Sequence, residues 1–179
     1  MDLITTDAQR KNEIADLFRS TFTESEGVAE GDLIGNLVER MLATVDAADM
    51  FVFSAVEGDD LAGTAIFTRM TYPEDERMVF ILSPMAVAPG HQGRGVGQKL
   101  LTFGLNALRR NGVGVALTYG DINFYSKVGF RQISESVAPP PLSLGYPEGW
   151  LGQSLTSRPL DPLKGASTCV DALNDPAIW

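Results

Sequence analysis

The segment from Met78 to Gly112 constrains the fold more than any other part of the chain. An apolar run, Met78 to Val87, leads through Ala88-Pro89-Gly90-His91-Gln92 to Gly93, Gly95 and Gly97 at alternate positions. From Gly95 onward, Val96, Leu100, Leu101, Gly104, Leu105 and Leu108 recur at helical spacing as far as Asn111-Gly112, a C-terminal cap. A strand therefore has to pass through a glycine turn straight into a helix. Glycines at such a junction let the backbone approach a ligand closely, and the unpaired N–H groups of a helix start can point at an anion. A pyrophosphate is the natural guest. The same glycines would also serve a tight turn with close helix packing.

The rest of the chain reads as alternating strands and helices. Leu3-Ile4 suggests a short strand, Thr6 or Asp7 an N-cap, and Ile14, Leu17, Phe18 and Phe22 a helix over about 8 to 22. Thr23 to Asp32 is polar and punctuated by glycine, which predicts a loop before a second helix carrying Leu33, Ile34, Leu37, Val38, Met41 and Leu42. Residues 50–56 and 62–72 read as a hairpin, with a third strand over 78–87. After the glycine-turn helix come a strand at 113–118, a short helix capped by Asp121, and a strand at Phe130-Arg-Gln-Ile133. Beyond Ser134 the chain is rich in proline and glycine, with one more strand near 150–155 and a tail from Pro159 to Trp179. No internal repeat is visible, and 179 residues of ordinary composition fit a single domain over 1–179.

Charge and cysteine usage narrow the function classes. A net charge of −9, from 14 basic and 23 acidic residues, opposes nucleic-acid binding, which relies on clustered cations. No run approaches the ~20 apolar residues that span a bilayer, and the first residues do not resemble a secretion signal. One cysteine, Cys169, and one histidine, His91, make neither an internal disulfide nor a structural zinc site, so no metal is expected and a reducing cytoplasm fits.

The glycine turn fits neither of the two commonest phosphate loops. A dinucleotide fingerprint would need glycine at Gln98, and a Walker loop needs Lys followed by Ser or Thr after its last glycine. Gln92-x-x-Gly95-x-Gly97, after the apolar Met85-Ala86-Val87, instead resembles the acyl-CoA pyrophosphate loop of the GNAT superfamily of N-acetyltransferases. A second block at the right distance, Gly120 to Phe130, looks like the superfamily's Tyr-x-Lys-x-Gly-Phe segment, matched by Tyr125, Lys127, Gly129 and Phe130. Asp121 stands where asparagine is common, and the alanine of that block is not clearly met. The resemblance covers about residues 2–135 and leaves the tail outside.

The resemblance implies an α/β (α+β) fold with a mixed, largely antiparallel sheet flanked by helices and splayed between its fourth and fifth strands. It also implies acetyl-CoA as donor, held by Met85, Ala86, Val87, Gln92, Gly93, Arg94, Gly95, Val96 and Gly97, with Asn123 and Tyr125 from the second block. Tyr125 becomes the expected general acid for the departing thiolate, since a phenol of pKa about 10 stays protonated at neutral pH. Its other reading is an aromatic packed beside Phe124 and Phe130. The backbone of Met85 and Val87 would face the donor's amides and thioester carbonyl, an electrostatic contribution that is often large.

The base is less clear. A lysine-like amine costs about 4 to 5 kcal/mol to deprotonate at pH 7, yet the strand Phe80 to Val87 has no carboxylate where many superfamily members have glutamate. Ser83, through a water, and Glu24 or Glu26, from the loop between the first helices, are the candidates, with plain surface polarity as the alternative for each. His91 reads as a phosphate neighbour or surface residue and Cys169 as a bystander. Tyr146, Trp150 and Pro139-Pro-Pro141 could shape an acceptor pocket or serve packing, and Trp179 could cap the core or a neighbouring subunit in a homodimer. A non-catalytic acyl-CoA-binding module and a nucleotide enzyme remain the rival readings, and the amine acceptor is not legible.

Overall fold

The structure, a computed structural model, describes residues 1–179 except for the Ala8 side chain. Its elements are β1 (Asp2–Thr5), α1 (Lys11–Glu26), α2 (Val28–Thr44), β2 (Met50–Glu57), β3 (Asp60–Met70), β4 (Val79–Val87), α3 (Val96–Arg110), β5 (Val115–Tyr119), α4 (Ile122–Tyr125), β6 (Arg131–Gln132) and β7 (Trp150–Ser154). This succession is the predicted one, with boundaries shifted by a few residues. Seven strands hydrogen-bond in the order β1-β2-β3-β4-β5-β7-β6. The β1/β2, β5/β7 and β6/β7 pairs are antiparallel and β4/β5 is parallel, giving the expected mixed sheet. Contacts divide the chain into two compact units, residues 1–67 with 84–104 and residues 68–83 with 105–179.

In the first unit, Asp7 caps the opening turn by accepting from the Gln9 N–H at 3.0 Å. The predicted loop at Thr23 to Asp32 does not form. Helix α1 runs on to Glu26, its last turn closed by the Gly27 N–H on the Thr23 carbonyl at 3.0 Å, and α2 begins one residue later. Gly27 has φ of 100°, a conformation nearly closed to other residues, so one glycine replaces the expected loop. The next glycines serve contact: a Cβ at Gly31 would lie 1.8 Å from Thr23 Oγ1, and one at Gly35 2.7 Å from Arg19 Cζ. Arg19 then binds Asp32, Asn36 and Glu39 at 3.0, 3.2 and 2.7 Å, tying α1 to α2. A glycine- and glutamate-rich stretch reads as loop by composition and is helical here because its glycines let two helices touch.

The apolar core of this unit centres on Phe53, whose ring meets Phe67 and Phe103 edge-on at 5.9 and 5.8 Å. Gly104 on α3 comes so close that a Cβ would sit 2.8 Å from the Phe53 ring. Three hydroxyls at this core form a chain: Thr6 donates to Ser54 at 2.7 Å, and the Ser54 and Thr64 hydroxyls share a bond of 2.9 Å.

In the second unit, Val79 to Leu82 of β4 pair in parallel with Val115 to Thr118 of β5. The register ends at Leu82 and Thr118, where the Thr118 hydroxyl donates to the Leu82 carbonyl at 3.1 Å. Strand β4 continues to Val87, and Pro84 in that stretch has no N–H to offer a neighbour. A proline suits a strand whose ladder has stopped, so the separation expected between the fourth and fifth strands has a local cause.

Residues 156–179 pack closely within the second unit. Thr168 bridges Thr71 through two backbone bonds of 2.9 and 3.0 Å, and the Leu163 N–H reaches the Val137 carbonyl at 2.8 Å. Arg77 holds Asp75 at 2.9 and 2.7 Å and donates to the carbonyls of Asp161 and Pro162. Asp75 in turn accepts from the Lys164 N–H at 3.0 Å, and this company holds its carboxyl well below the usual range. Trp179 donates from its indole to the Leu173 carbonyl at 2.8 Å and packs on Tyr119 and Trp150. Trp179 thus covers part of the core, as one of its two expectations had it. Among the described residues no helix is long and apolar enough to cross a membrane, and no group of three or more His, Cys, Asp or Glu side chains could hold a metal.

Candidate active site

The glycine turn is built by backbone. Gly93 and Gly95 have φ of 69° and 74°, and a Cβ on either would meet nothing within 4 Å. Conformation, not crowding, therefore demands glycine at both, and the space beside them is open. The first bond of α3 runs from the Lys99 N–H to the Gly95 carbonyl at 3.1 Å. The N–H groups of Val96, Gly97 and Gln98 precede it and have no helical acceptor, which concentrates partial positive charge at this end. Val96 itself is buried beside Ala55 and Ala62, so its side chain is anchored in the core and only its N–H is offered outward.

Strand end and turn are stapled together. The Gln92 side-chain amide donates to the Val87 carbonyl at 2.9 Å, and the Ala88 N–H reaches the Ala62 carbonyl at 2.9 Å. Gln92 thus shapes the turn with its donor group already engaged. Arg94 is exposed and reaches the Gly90 carbonyl only at 3.5 Å, leaving most of its guanidinium facing solvent. His91 lies 3.5 Å from Glu57, a neighbour the sequence does not reveal. Met85 and Val87 are half-buried and alternate with the buried Ala86.

The second unit carries the phenol. Asp121 caps α4 by accepting from the Asn123 N–H at 2.9 Å, and the Asn123 side chain donates to the same oxygen at 3.0 Å. That cap starts the turn on which Tyr125 sits, and Gly129, with φ of 95°, ends it. The Tyr125 ring meets Phe124 and Phe130 edge-on at 5.1 and 5.8 Å. It also lies against Gly120, where a Cβ would come within 2.7 Å of the ring.

Burial raises the phenol pKa above its ordinary value; a hydrogen bond with the Thr118 side chain opposes the rise, and the charge of Asp121 adds to it. Tyr125 therefore stays protonated well beyond neutral pH. Because the Thr118 hydroxyl also donates to the Leu82 carbonyl, Tyr125, Thr118 and Leu82 meet where the β4/β5 ladder ends. Ser83 follows immediately and is half-buried.

Sequence reasoning missed Thr118 because a hydroxyl inside an apolar strand gives no signal until its partner is known. The spacing of the second block was one route to it: counted back from Tyr125, the asparagine of the family's Asn-x-x-Ala-x-x-x-Tyr block falls on Thr118 and its alanine on Asp121, which corrects the placing of Asp121 at the asparagine position. The expected substrate-side loop of Glu24 and Glu26 is absent, both being exposed on the last turn of α1. Cys169 is half-buried with its thiol pKa raised by burial, the opposite of a reactive thiolate.

A parallel β4/β5 pair that parts beside a half-buried phenol, with a glycine turn opening α3, defines the class. The chain belongs to the GNAT superfamily of acetyl-CoA-dependent N-acetyltransferases, and residues 48–132 match the family model described as the acetyltransferase (GNAT) domain. It is 31% identical over 167 residues, covering 90% of this chain and 89% of the relative, to the uncharacterized N-acetyltransferase YjhQ of Escherichia coli K12. The fold resembles that of the Escherichia coli GNAT N-acetyltransferase YhbS solved with CoA, at a TM-score of 0.79 and 20% identity, covering 97% of this chain and 92% of that one. It also resembles a Brucella melitensis GNAT acetyltransferase solved with acetyl-CoA, at a TM-score of 0.74 and 21% identity, covering 97% of each.

Proposed function

We propose that the enzyme transfers the acetyl group of acetyl-CoA to an amine by direct attack, with the turn at 93–97 holding the donor's pyrophosphate and Tyr125 supplying the proton for the leaving thiolate. The amine nitrogen bonds to the thioester carbon, the carbon–sulfur bond breaks, and the phenol proton of Tyr125 goes to sulfur. The nitrogen releases its own proton to solvent, and a water held at Ser83 is the assigned first acceptor, since β4 offers no carboxylate. Tyr125 recovers its proton from bulk water once CoA leaves.

The observation that carries this reading is the contact of Tyr125 with Thr118 at the last β4/β5 pair, where a phenol kept protonated by burial stands beside backbone freed from the ladder. The backbone of Met85 and the N–H of Val87 are assigned to the donor's amides and to the thioester oxygen as charge develops on it. A reducing cytoplasm is the assigned compartment, in keeping with a single cysteine.

The test is CoA thiol release from acetyl-CoA, screened over polyamines, aminoglycosides, lysine derivatives and peptide N-termini. Amine-dependent release is expected with at least one class. Binding of CoA without release by any of them would make the protein a CoA-binding module and end the catalytic reading.

A further inference from the structure

Gly120 and Gly149 are not glycines by conformation, since neither has a positive φ. Each is the seat of a tyrosine ring. A Cβ on Gly120 would come within 2.7 Å of the Tyr125 ring, and one on Gly149 within 2.9 Å of the Tyr146 ring, 3.2 Å of the Gly120 carbonyl and 3.4 Å of the Tyr119 ring. The Gly120 N–H also donates to the Gly149 carbonyl at 2.9 Å. Tyr125 and Tyr146 therefore rest on two glycines that are bonded to each other.

The two rings differ in exposure. Tyr125 is half-buried, whereas Tyr146 is 60% exposed. Tyr146 is nevertheless held firmly: its N–H donates to the Tyr119 phenol oxygen and its carbonyl accepts the Gly149 N–H at 2.9 Å. Tyr119 is buttressed in turn by Trp150 and Trp179, at centroid distances of 6.4 and 6.3 Å. An aromatic ring held in place by its backbone, yet left facing solvent, is preorganised to receive a ligand rather than to fill a core. Glu148 and Asp121, each next to one of the two glycines, are both exposed and add negative charge on this side.

From this arrangement we infer that Tyr146 is the acceptor-docking residue, a ring face that receives the cationic body of a polyamine-like or aminoglycoside-like amine, aided by the carboxylate of Glu148. The inference rests on the transfer reading above and adds the acceptor class. A cation over a tyrosine face is attracted by the negative face of the ring, and a body with two or more charges can engage ring and carboxylate together. The net charge of −9 favours approach of such a molecule.

Spermidine and kanamycin, titrated calorimetrically into the CoA-loaded protein, are the probes, with 1,8-octanediol as an uncharged control. At least one of the two amines should bind and the diol should not. Tyr146→Ala should weaken that binding about tenfold, Tyr146→Phe should restore it, and Glu148→Gln should weaken it about threefold with a reduced salt dependence. Failure of both amines to bind the parent protein, or equal binding by Tyr146→Ala, overturns the inference. Thiol release with an uncharged-bodied amine alongside either failure would leave acetyl transfer standing. Cation binding without any thiol release would fault the transfer reading instead.

Discussion

The glycine turn and the aromatic wall around Tyr146 are made in opposite ways. At residues 93–97 the working groups are backbone N–H donors, and apart from the exposed Arg94 the side chains either point into the core, as with Val96, or are missing, as with Gly93 and Gly95. At Tyr119, Tyr146, Trp150 and Trp179 the surface is all side chain, drawn from positions as distant as β5 and the last residue. A backbone site demands particular conformations and so writes itself into local sequence. A side-chain wall is assembled by long-range contacts and can be rebuilt with other residues without touching the first.

Four experiments would break or sharpen this contrast. Gly95→Glu forces a side chain onto φ of 74° and sets a carboxylate against the pyrophosphate; CoA affinity should fall about a thousandfold, as measured by calorimetry. Unaltered affinity would mean the turn is only a fold element. Tyr125→Phe keeps the ring and removes the proton, so kcat should drop about a hundredfold with the KM for acetyl-CoA held. A kcat equal to the parent's would return Tyr125 to a packing role.

The pH profile adds to the second experiment. Burial raises the Tyr125 pKa, so the acid form persists above the usual value of about 10 and no alkaline limb from it should appear below that pH. The parent rate should climb through pH 9 as the amine loses its proton. A decline between pH 7 and 9 would contradict the assignment.

The third experiment moves away from the site. Asp75→Ala should cost about 2 kcal/mol of stability by denaturant titration, toward the low side for a buried pair because Arg77 is about a third exposed. The Asp75 carboxyl is depressed in the folded state, so its contribution is complete above the unfolded pKa of about 3.9 and is lost as pH falls below it. The variant should therefore lose the acid sensitivity that the parent shows in that range, with CoA binding unchanged. The smallest effect belongs to Gln92→Ala, which removes one exposed staple to Val87 and should weaken CoA binding by about fivefold, near 1 kcal/mol.

The same contrast explains what could be read in advance. The order of elements follows from periodicity, and the mixed sheet with its separation of β4 from β5 follows from the resemblance carried by the two motif blocks, each contained in a dozen residues, whereas the parallel pairing itself is seen only in the folded chain. Thr23 to Asp32 misled because helix–helix contact at Gly31 and Gly35 overrides a composition that suggests a loop. Thr118 escaped because its significance lies in its partner Tyr125, and Tyr146, named for an acceptor pocket or for packing, could not be decided between the two because its seat at Gly149 follows no local pattern. The tail was the least legible: Arg77 reaches Asp161 and Pro162 across more than eighty residues, a contact that only the folded chain displays.

The bridge from Thr71 to Thr168 bears on how the chain is made. During synthesis, β4 and β5 emerge long before residues 159–179, which must follow before Tyr119 and Trp150 gain their cover from Trp179. Contacts of such sequence separation close slowly. A nascent chain would therefore spend a period with its sheet drawn together but its aromatic wall open, and ribosome stalling within that window would leave Tyr119 and Trp150 without the cover of Trp179.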